Sequence, residues 1–104
     1  MSQPMALTLD DRASVPDGVV SRELDGEMVL LNLETGIYFG LDAVGTDMWR
    51  AIRESPTLGD ALAAVRRQYD VDEATIRADF LQLADQLVAK GLLQRAARET
   101  PSAT

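Results

Sequence analysis

The run EMVLLNLETGIYFGLD, residues 27–42, holds two apolar stretches separated by a short polar turn. Short stretches rich in β-branched, aliphatic and aromatic residues are typical of strands. Glu34, Thr35 and Gly36 lie between them, and a three-residue loop with glycine last is a common hairpin loop. The run therefore predicts two antiparallel strands, residues 27–33 and 37–41.

The length of this loop decides which side chains share a face of the sheet. With a three-residue loop Leu33 lies opposite Ile37, and the odd-numbered residues, Phe39 included, form the core face. A two-residue loop would pair Leu33 with Gly36 instead and mix the faces. We expect the first register, which places Tyr38 on the opposite face as a packing residue or as a ligand contact.

Upstream of this run the sequence predicts one more strand. VVSREL, residues 19–24, fits a strand, and Asp25-Gly26 is typical of a two-residue hairpin turn. Residues 1–18 read as a flexible N-terminal arm that ends in the turn signal SVPDG. The result is a three-stranded antiparallel meander in which residues 37–41 form an edge strand.

Downstream the pattern indicates three helices. Apolar residues recur at helical spacing in each, and polar residues stand at the expected N-caps. The predicted caps are, in chain order, Asp42, Thr57 and either Asp70 or Asp72. Ser55-Pro56 ends the first helix, and Gly91 ends the third as a left-handed C-cap residue. Residues 94–104 read as a disordered tail.

The third helix has two apolar rows, where one row is enough to cover a small sheet. The first row is Ile76, Phe80, Leu83 and Leu87, and the second is Leu81, Ala84 and Val88, preceded by Arg77. A second row widens the apolar stripe beyond one face of the helix. Either it adds to the core or it lines a groove.

Composition excludes several kinds of function. The chain has 104 residues, enough for one domain, and contains neither cysteine nor histidine. Disulfides, thiol nucleophiles and the usual zinc sites are therefore excluded. Since it lacks a signal peptide and an apolar run of about 18 residues, we expect a cytoplasmic protein with no membrane segment. A formal charge of −7 disfavours binding to nucleic acid.

Three segments in order resemble the PqqD-like family. They are VLLNLETGIYFGLDAVGTDMWRAI, TLGDAL and YDVDEATIRADFLQLADQLVAKGLL, and the resemblance covers roughly residues 19–93. The family usually has asparagine where this chain has Asp42, and both cap helices well. The resemblance implies an α+β fold like a winged helix-turn-helix: a three-stranded antiparallel N-terminal sheet followed by three helices.

The resemblance also implies a function, recognition of the leader of a ribosomally made, modified peptide. The leader would be added as a strand to the third strand, with side chains directed toward the last helix. An edge strand without charge or proline suits such pairing. The expected peptide-binding residues are Ile37, Tyr38, Phe39, Arg77, Asp79, Leu81, Ala84 and Val88. Arg77 would meet an acidic leader residue, and Asp79 or Asp85 a basic one.

The implied partners are the leader peptide and a modifying enzyme of the same pathway, whether protease, cyclase or radical enzyme. Lasso-peptide, quinone-cofactor and related pathways use such domains. We expect no catalysis, no cofactor and no metal, and a monomer or weak dimer. The alternative is a small winged-helix DNA-binding regulator, which the acidic third helix disfavours. An enzyme ranks last, because Lys90 is the only lysine and lies far in sequence from every serine.

Overall fold

The computed structural model describes residues 7–96. Its elements are β1 (Ala13–Ser14), β2 (Val19–Leu24), β3 (Glu27–Asn32), β4 (Tyr38–Leu41), α1 (Ala43–Glu54), α2 (Leu58–Gln68), α3 (Glu73–Ala89) and β5 (Gln94–Arg95). The main sheet is antiparallel, in the order β2-β3-β4, and β1 pairs with β5 in a second, two-stranded sheet. The predicted architecture of three strands followed by three helices is confirmed.

The turn between β2 and β3 follows the prediction. Leu24 lies opposite Glu27, so Asp25 and Gly26 alone form the loop. Both residues have positive φ, 53° and 84°, as a type I′ hairpin turn requires. Its twist matches that of the flanking strands, which is why Asp-Gly is a strong hairpin signal.

The register between β3 and β4 differs from the one expected. Leu30 lies opposite Phe39, and the backbone N–H of Asn32 donates to the carbonyl of Ile37 at 2.9 Å. The loop is therefore residues 33–36, one residue longer than predicted. The alternative pairing, with Leu33 opposite Gly36, has the same register as the structure.

A shift of one residue turns every side chain of a strand to the other face. The even-numbered residues of β3 accordingly enter the core, with Leu30 fully buried and Met28 nearly so. Leu33 and Ile37 are exposed, at 63% and 40% of their surfaces. The prediction that Ile37 lies in the core was wrong, whereas Phe39 does pack against it.

Asn32 is the residue that adds the extra position to the loop. Its side-chain Oδ1 accepts hydrogen bonds from the backbone N–H groups of Glu34 at 2.8 Å and Thr35 at 3.2 Å. Its Nδ2 donates to the carbonyl of Gly91 at 2.9 Å. The Asn32 side chain is buried, and it fixes both the start of the loop and the distance to the end of α3.

We expect Asn32→Leu to lower the free energy of unfolding by about 2 kcal/mol, because it removes three hydrogen bonds and leaves the Gly91 carbonyl without its side-chain partner. Urea denaturation followed by the fluorescence of Trp49, the only tryptophan, measures this loss. Glu34→Ala keeps the backbone N–H and serves as the control, within about 0.5 kcal/mol of the parent. Equal stability of the two variants would refute the role given to Asn32.

The helix boundaries follow local capping. Asp42, Thr57 and Asp72 each accept a hydrogen bond from the backbone N–H three residues on, at 2.8, 3.1 and 3.2 Å. Asp72 therefore starts the third helix, and Gly91 follows it with φ +73°. Within residues 7–96, no helix has the length and hydropathy to cross a membrane.

The N-terminal segment packs against the domain from Leu7 onward. Leu7 is buried in the core, and the carbonyls of Leu9 and Asp11 accept hydrogen bonds from the first residues of α2, Gly59 and Leu58. Strand β5 holds the start of the predicted tail against β1. The remaining parts of the predicted arm and tail, residues 1–6 and 97–104, lie outside the described residues.

Candidate peptide-binding groove

Strand β4 has hydrogen-bonding groups that point away from the sheet. The bond from the Asn32 N–H to the Ile37 carbonyl identifies that pair as hydrogen-bonded, and such pairs alternate along an antiparallel ladder. Phe39 therefore pairs with β3 through its backbone. The N–H and C=O groups of Tyr38 and Gly40 face outward, where no other strand of the described chain lies.

The two edges of the main sheet differ in their side chains. β4 has the sequence YFGL and carries no charge, and nothing lies within 4 Å of the position that a Cβ on Gly40 would take. On β2, Ser21 and Glu23 have the outward backbone groups, with Arg22 between them. Charged side chains along an edge oppose the addition of another strand. The open edge of β4 is thus the one suited to accept an extended peptide.

The C-terminal end of helix α3 approaches β4 through Lys90, its C-cap residue. The Lys90 ammonium lies 5.6 Å from the centroid of the Phe39 ring. Farther along, α3 and the start of α1 border a cavity of about 430 Å³ that is open to solvent. Its lining includes Asp42, Val44 and Met48 on one side and Asp79, Leu83 and Gln86 on the other. We call the space between β4 and these residues of α3 the groove.

The groove lies on one flank of α3, whereas the second apolar row, Leu81, Ala84 and Val88 preceded by Arg77, lies on another part of the helix. Ala84 is fully buried, so it cannot contact a peptide. Leu81 and Val88 are half-buried against the core, roughly 140–160° around the helix from Leu83 at about 100° per residue. Val88 lines a different cavity, of about 370 Å³, together with Leu7. Arg77 is exposed on that same flank.

The other predicted residues do meet at the groove or beside it. Asp79 lines the cavity, and the half-buried Phe39 lies under Lys90. Tyr38 is 72% exposed on the outer face of the sheet, while its backbone faces the open edge. Two residues at the groove were not among the predicted peptide-binding residues. Leu83 was assigned to the first apolar row of the third helix, and Lys90 was given no binding role. The sequence does contain a signal for this flank of α3. Asp79, Leu83, Gln86 and Lys90 follow one another at intervals of three and four residues, which places them on one face of the helix.

The cavity end of the groove is acidic. Asp42 and Asp79 contribute carboxylates, Gln82 and Gln86 contribute amides, and none of the described side chains that line it is Lys or Arg. Asp42 uses one oxygen, Oδ1, to accept from the Gly45 N–H. Across residues 7–96, no three His, Cys, Asp or Glu side chains come together as a metal-binding group. Among the described residues, the cavity therefore presents carboxylate and amide oxygens and no positively charged side chain.

A separate polar network holds the scaffold behind the groove. Tyr69 at the end of α2 donates to Asp47 of α1, and this hydrogen bond is the main reason that the pKa of Tyr69 is raised. Arg50 of α1 pairs with both Asp47 and Glu23 of β2. The network ties α2 to α1 and α1 to the sheet, so it positions α1 without taking part in the groove.

Fold and groove together define the class: a small α+β domain of winged-helix type with an open strand edge beside its last helix. The chain belongs to the PqqD family, since the family model described as coenzyme PQQ synthesis protein D matches residues 27–93. No curated protein matches the chain.

One similar solved structure is described as TbiB1 in complex with the TbiA(beta) leader peptide. It is 39% identical to this chain with a TM-score of 0.72, over 81% of this chain and 98% of that one. The family resemblance and the fold predicted from the sequence are thus confirmed.

Proposed function

We propose that this protein binds the leader region of a ribosomally synthesised precursor peptide as an added strand on β4. The observation that carries the proposal is the uncharged open edge of β4 beside the groove. Membership of the PqqD family and the likeness to TbiB1, a protein solved with a leader peptide, support it.

Two kinds of contact contribute to recognition of the leader, main-chain pairing and side-chain contacts. The outward N–H and C=O groups of Tyr38 and Gly40 pair with the main chain of the leader, which supplies affinity with little demand on its sequence. Alternate leader side chains face α3, where Phe39, Leu83 and the cavity select among them. Specificity therefore lies on the groove side of the added strand.

We infer a non-catalytic role in which the bound leader is presented to a modifying enzyme of the same pathway, whether protease, cyclase or radical enzyme. The chain has no histidine or cysteine, and the groove offers carboxylates, amides, the Lys90 ammonium and apolar side chains. Such groups bind and orient an extended chain. Binding the leader also raises the effective concentration of the attached core peptide at the enzyme.

The test is a titration of the fluorescein-labelled leader encoded by a precursor gene beside this one. We expect saturable binding at one leader per chain, largely retained as salt rises, because main-chain hydrogen bonds and apolar contacts dominate. A scrambled leader is the control. Binding confined to duplex DNA and lost with rising salt would support a winged-helix regulator instead. Failure to bind any leader encoded nearby would overturn the proposal.

A further inference from the structure

The groove carries opposite charges at its two ends. Lys90, beside Phe39, provides the cation at the start of β4. Asp79 and Asp42 provide carboxylates at the cavity end, beyond the last residue of β4. Helix α3 and the chain from β4 into α1 pass each other in opposite directions, since Lys90 meets Phe39 while Asp79 meets the first turns of α1.

The distance between these charges determines how many residues separate the two complementary charged residues of an added strand. Asp79 and Lys90 are eleven positions apart on α3, or about 16 Å at roughly 1.5 Å per residue. Phe39 and Asp42 are separated by about 10 Å of extended chain, at roughly 3.3 Å per residue. Both lengths correspond to about three to five strand residues. Only alternate side chains face α3, so the matching spacing is four.

The cavity suits a long basic side chain. Val44, Met48 and Leu83 offer an apolar wall for an aliphatic stem, and the carboxylates of Asp79 and Asp42 accept from a cationic head. Its volume of about 430 Å³ leaves space for a lysine or arginine side chain together with water. At the other end, Lys90 is the complement of an acidic leader residue.

We propose that the leader recognised by this chain carries Lys or Arg four residues before Asp or Glu, and that this pair sets its direction on β4. An open edge alone accepts a strand in either direction. Antiparallel addition continues the pattern of the sheet. It places the N-terminal part of the leader beside the C-terminal end of β4, where the cavity lies. The basic residue therefore comes before the acidic one in the leader. This inference rests on the proposed function and names the chemistry of its ligand.

The test uses a phage-displayed library of random twelve-residue peptides, selected on the wild-type protein and on the double variant Asp79→Lys, Lys90→Glu. We expect wild-type binders to be enriched in a basic residue four positions before an acidic one. The double variant should enrich the inverted order, acidic before basic. A synthetic wild-type binder should lose about tenfold or more in affinity for the double variant.

The variant Asp85→Lys, an exposed change of charge on the same helix away from the groove, is the matched control. It should select the same peptides as the wild type. Selected peptides that bind but show no charge order, or the same order on the wild type and the double variant, would overturn this inference and leave the proposed function intact. Selection of no peptide on any of the three proteins would count against the proposed function itself.

Discussion

Replacing Tyr38 with proline is expected to weaken leader binding about thirtyfold, or about 2 kcal/mol, in a protein that remains folded. The outward N–H of Tyr38 is one of the two that β4 offers to an added strand. Proline removes that donor and places its ring where the leader backbone would lie. The bonds between β3 and β4 belong to Phe39 and Leu41, so the sheet keeps its ladder, as proline on an edge strand allows.

Three variants separate this effect from other causes. Tyr38→Ala keeps the N–H and should retain most of the affinity. Ser21→Pro makes the same change on the opposite edge of the sheet and should leave leader binding unchanged. Phe39→Pro breaks the β3–β4 ladder and should unfold the domain at a lower temperature. Equal affinity for the leader in Tyr38→Pro and wild type would mean that the leader does not pair with β4.

Leu83→Asp should weaken leader binding about fiftyfold, whereas Val88→Asp should change it by less than about threefold. Leu83 lines the groove, and Leu83→Asp replaces the apolar wall against which a leader side chain packs with a charged group that must stay solvated. Val88 lies on the opposite flank of α3, in the cavity with Leu7. Affinity is measured by titration of the labelled leader, below the unfolding midpoint that Trp49 fluorescence gives for each variant.

The pair Leu83 and Val88 tests which flank of α3 recognises the peptide. Both residues are half-buried on one helix, so the two aspartates should lower stability to a similar extent. A loss of binding in Val88→Asp with full binding in Leu83→Asp would place the peptide on the flank predicted from the sequence. Equal losses of leader affinity in both variants would show that the loss reflects lower stability of the fold and not a contact in the groove.

Features set by local hydrogen bonds were the most predictable from the sequence. Asp42 and Thr57 cap helices through backbone groups three residues away, and Asp25-Gly26 needs only its own positive φ values. Gly91 ends α3 for the same kind of local reason. A short window of sequence contains all the atoms that decide these elements, so pattern and chemistry agree.

The strand register was not predictable in the same way. Asn32 shapes its loop while its amide group bonds to Gly91, 59 residues away in sequence. Glu34-Thr35-Gly36 looked like a complete loop, and nothing nearby showed that Asn32 would use its side chain to extend it. One residue of difference then exchanged the two faces of β3 and left Leu33 in the loop, while Ile37 lies exposed just before β4.

Only part of the candidate groove could be predicted from the sequence. The order of elements predicts the open strand edge, and Asp79, which lines the cavity, stays a prediction as a peptide contact. The choice of flank could not be predicted, because an apolar stripe shows which face of a helix is buried but not which border meets a neighbouring strand. Leu81 and Leu83 both lie at such borders, and the position of Leu83 opposite the start of α1 distinguishes them.

The charges on α3 do not favour DNA binding, although the fold has the layout of a winged helix. α3 presents Glu73, Asp79 and Asp85 among its exposed residues, against Arg77. Contacts to phosphates need Lys or Arg, and the whole chain has a formal charge of −7. We propose that the same acidity favours partners with basic segments.

Amide hydrogen exchange on the ¹⁵N-labelled protein, with and without saturating leader, tests strand addition most directly. Binding on β4 predicts slower exchange at the N–H groups of Tyr38 and Gly40, with Ser21 and Glu23 on the other edge unchanged. Saturated binding that leaves Tyr38 and Gly40 exchanging at their free rates would contradict strand addition to β4.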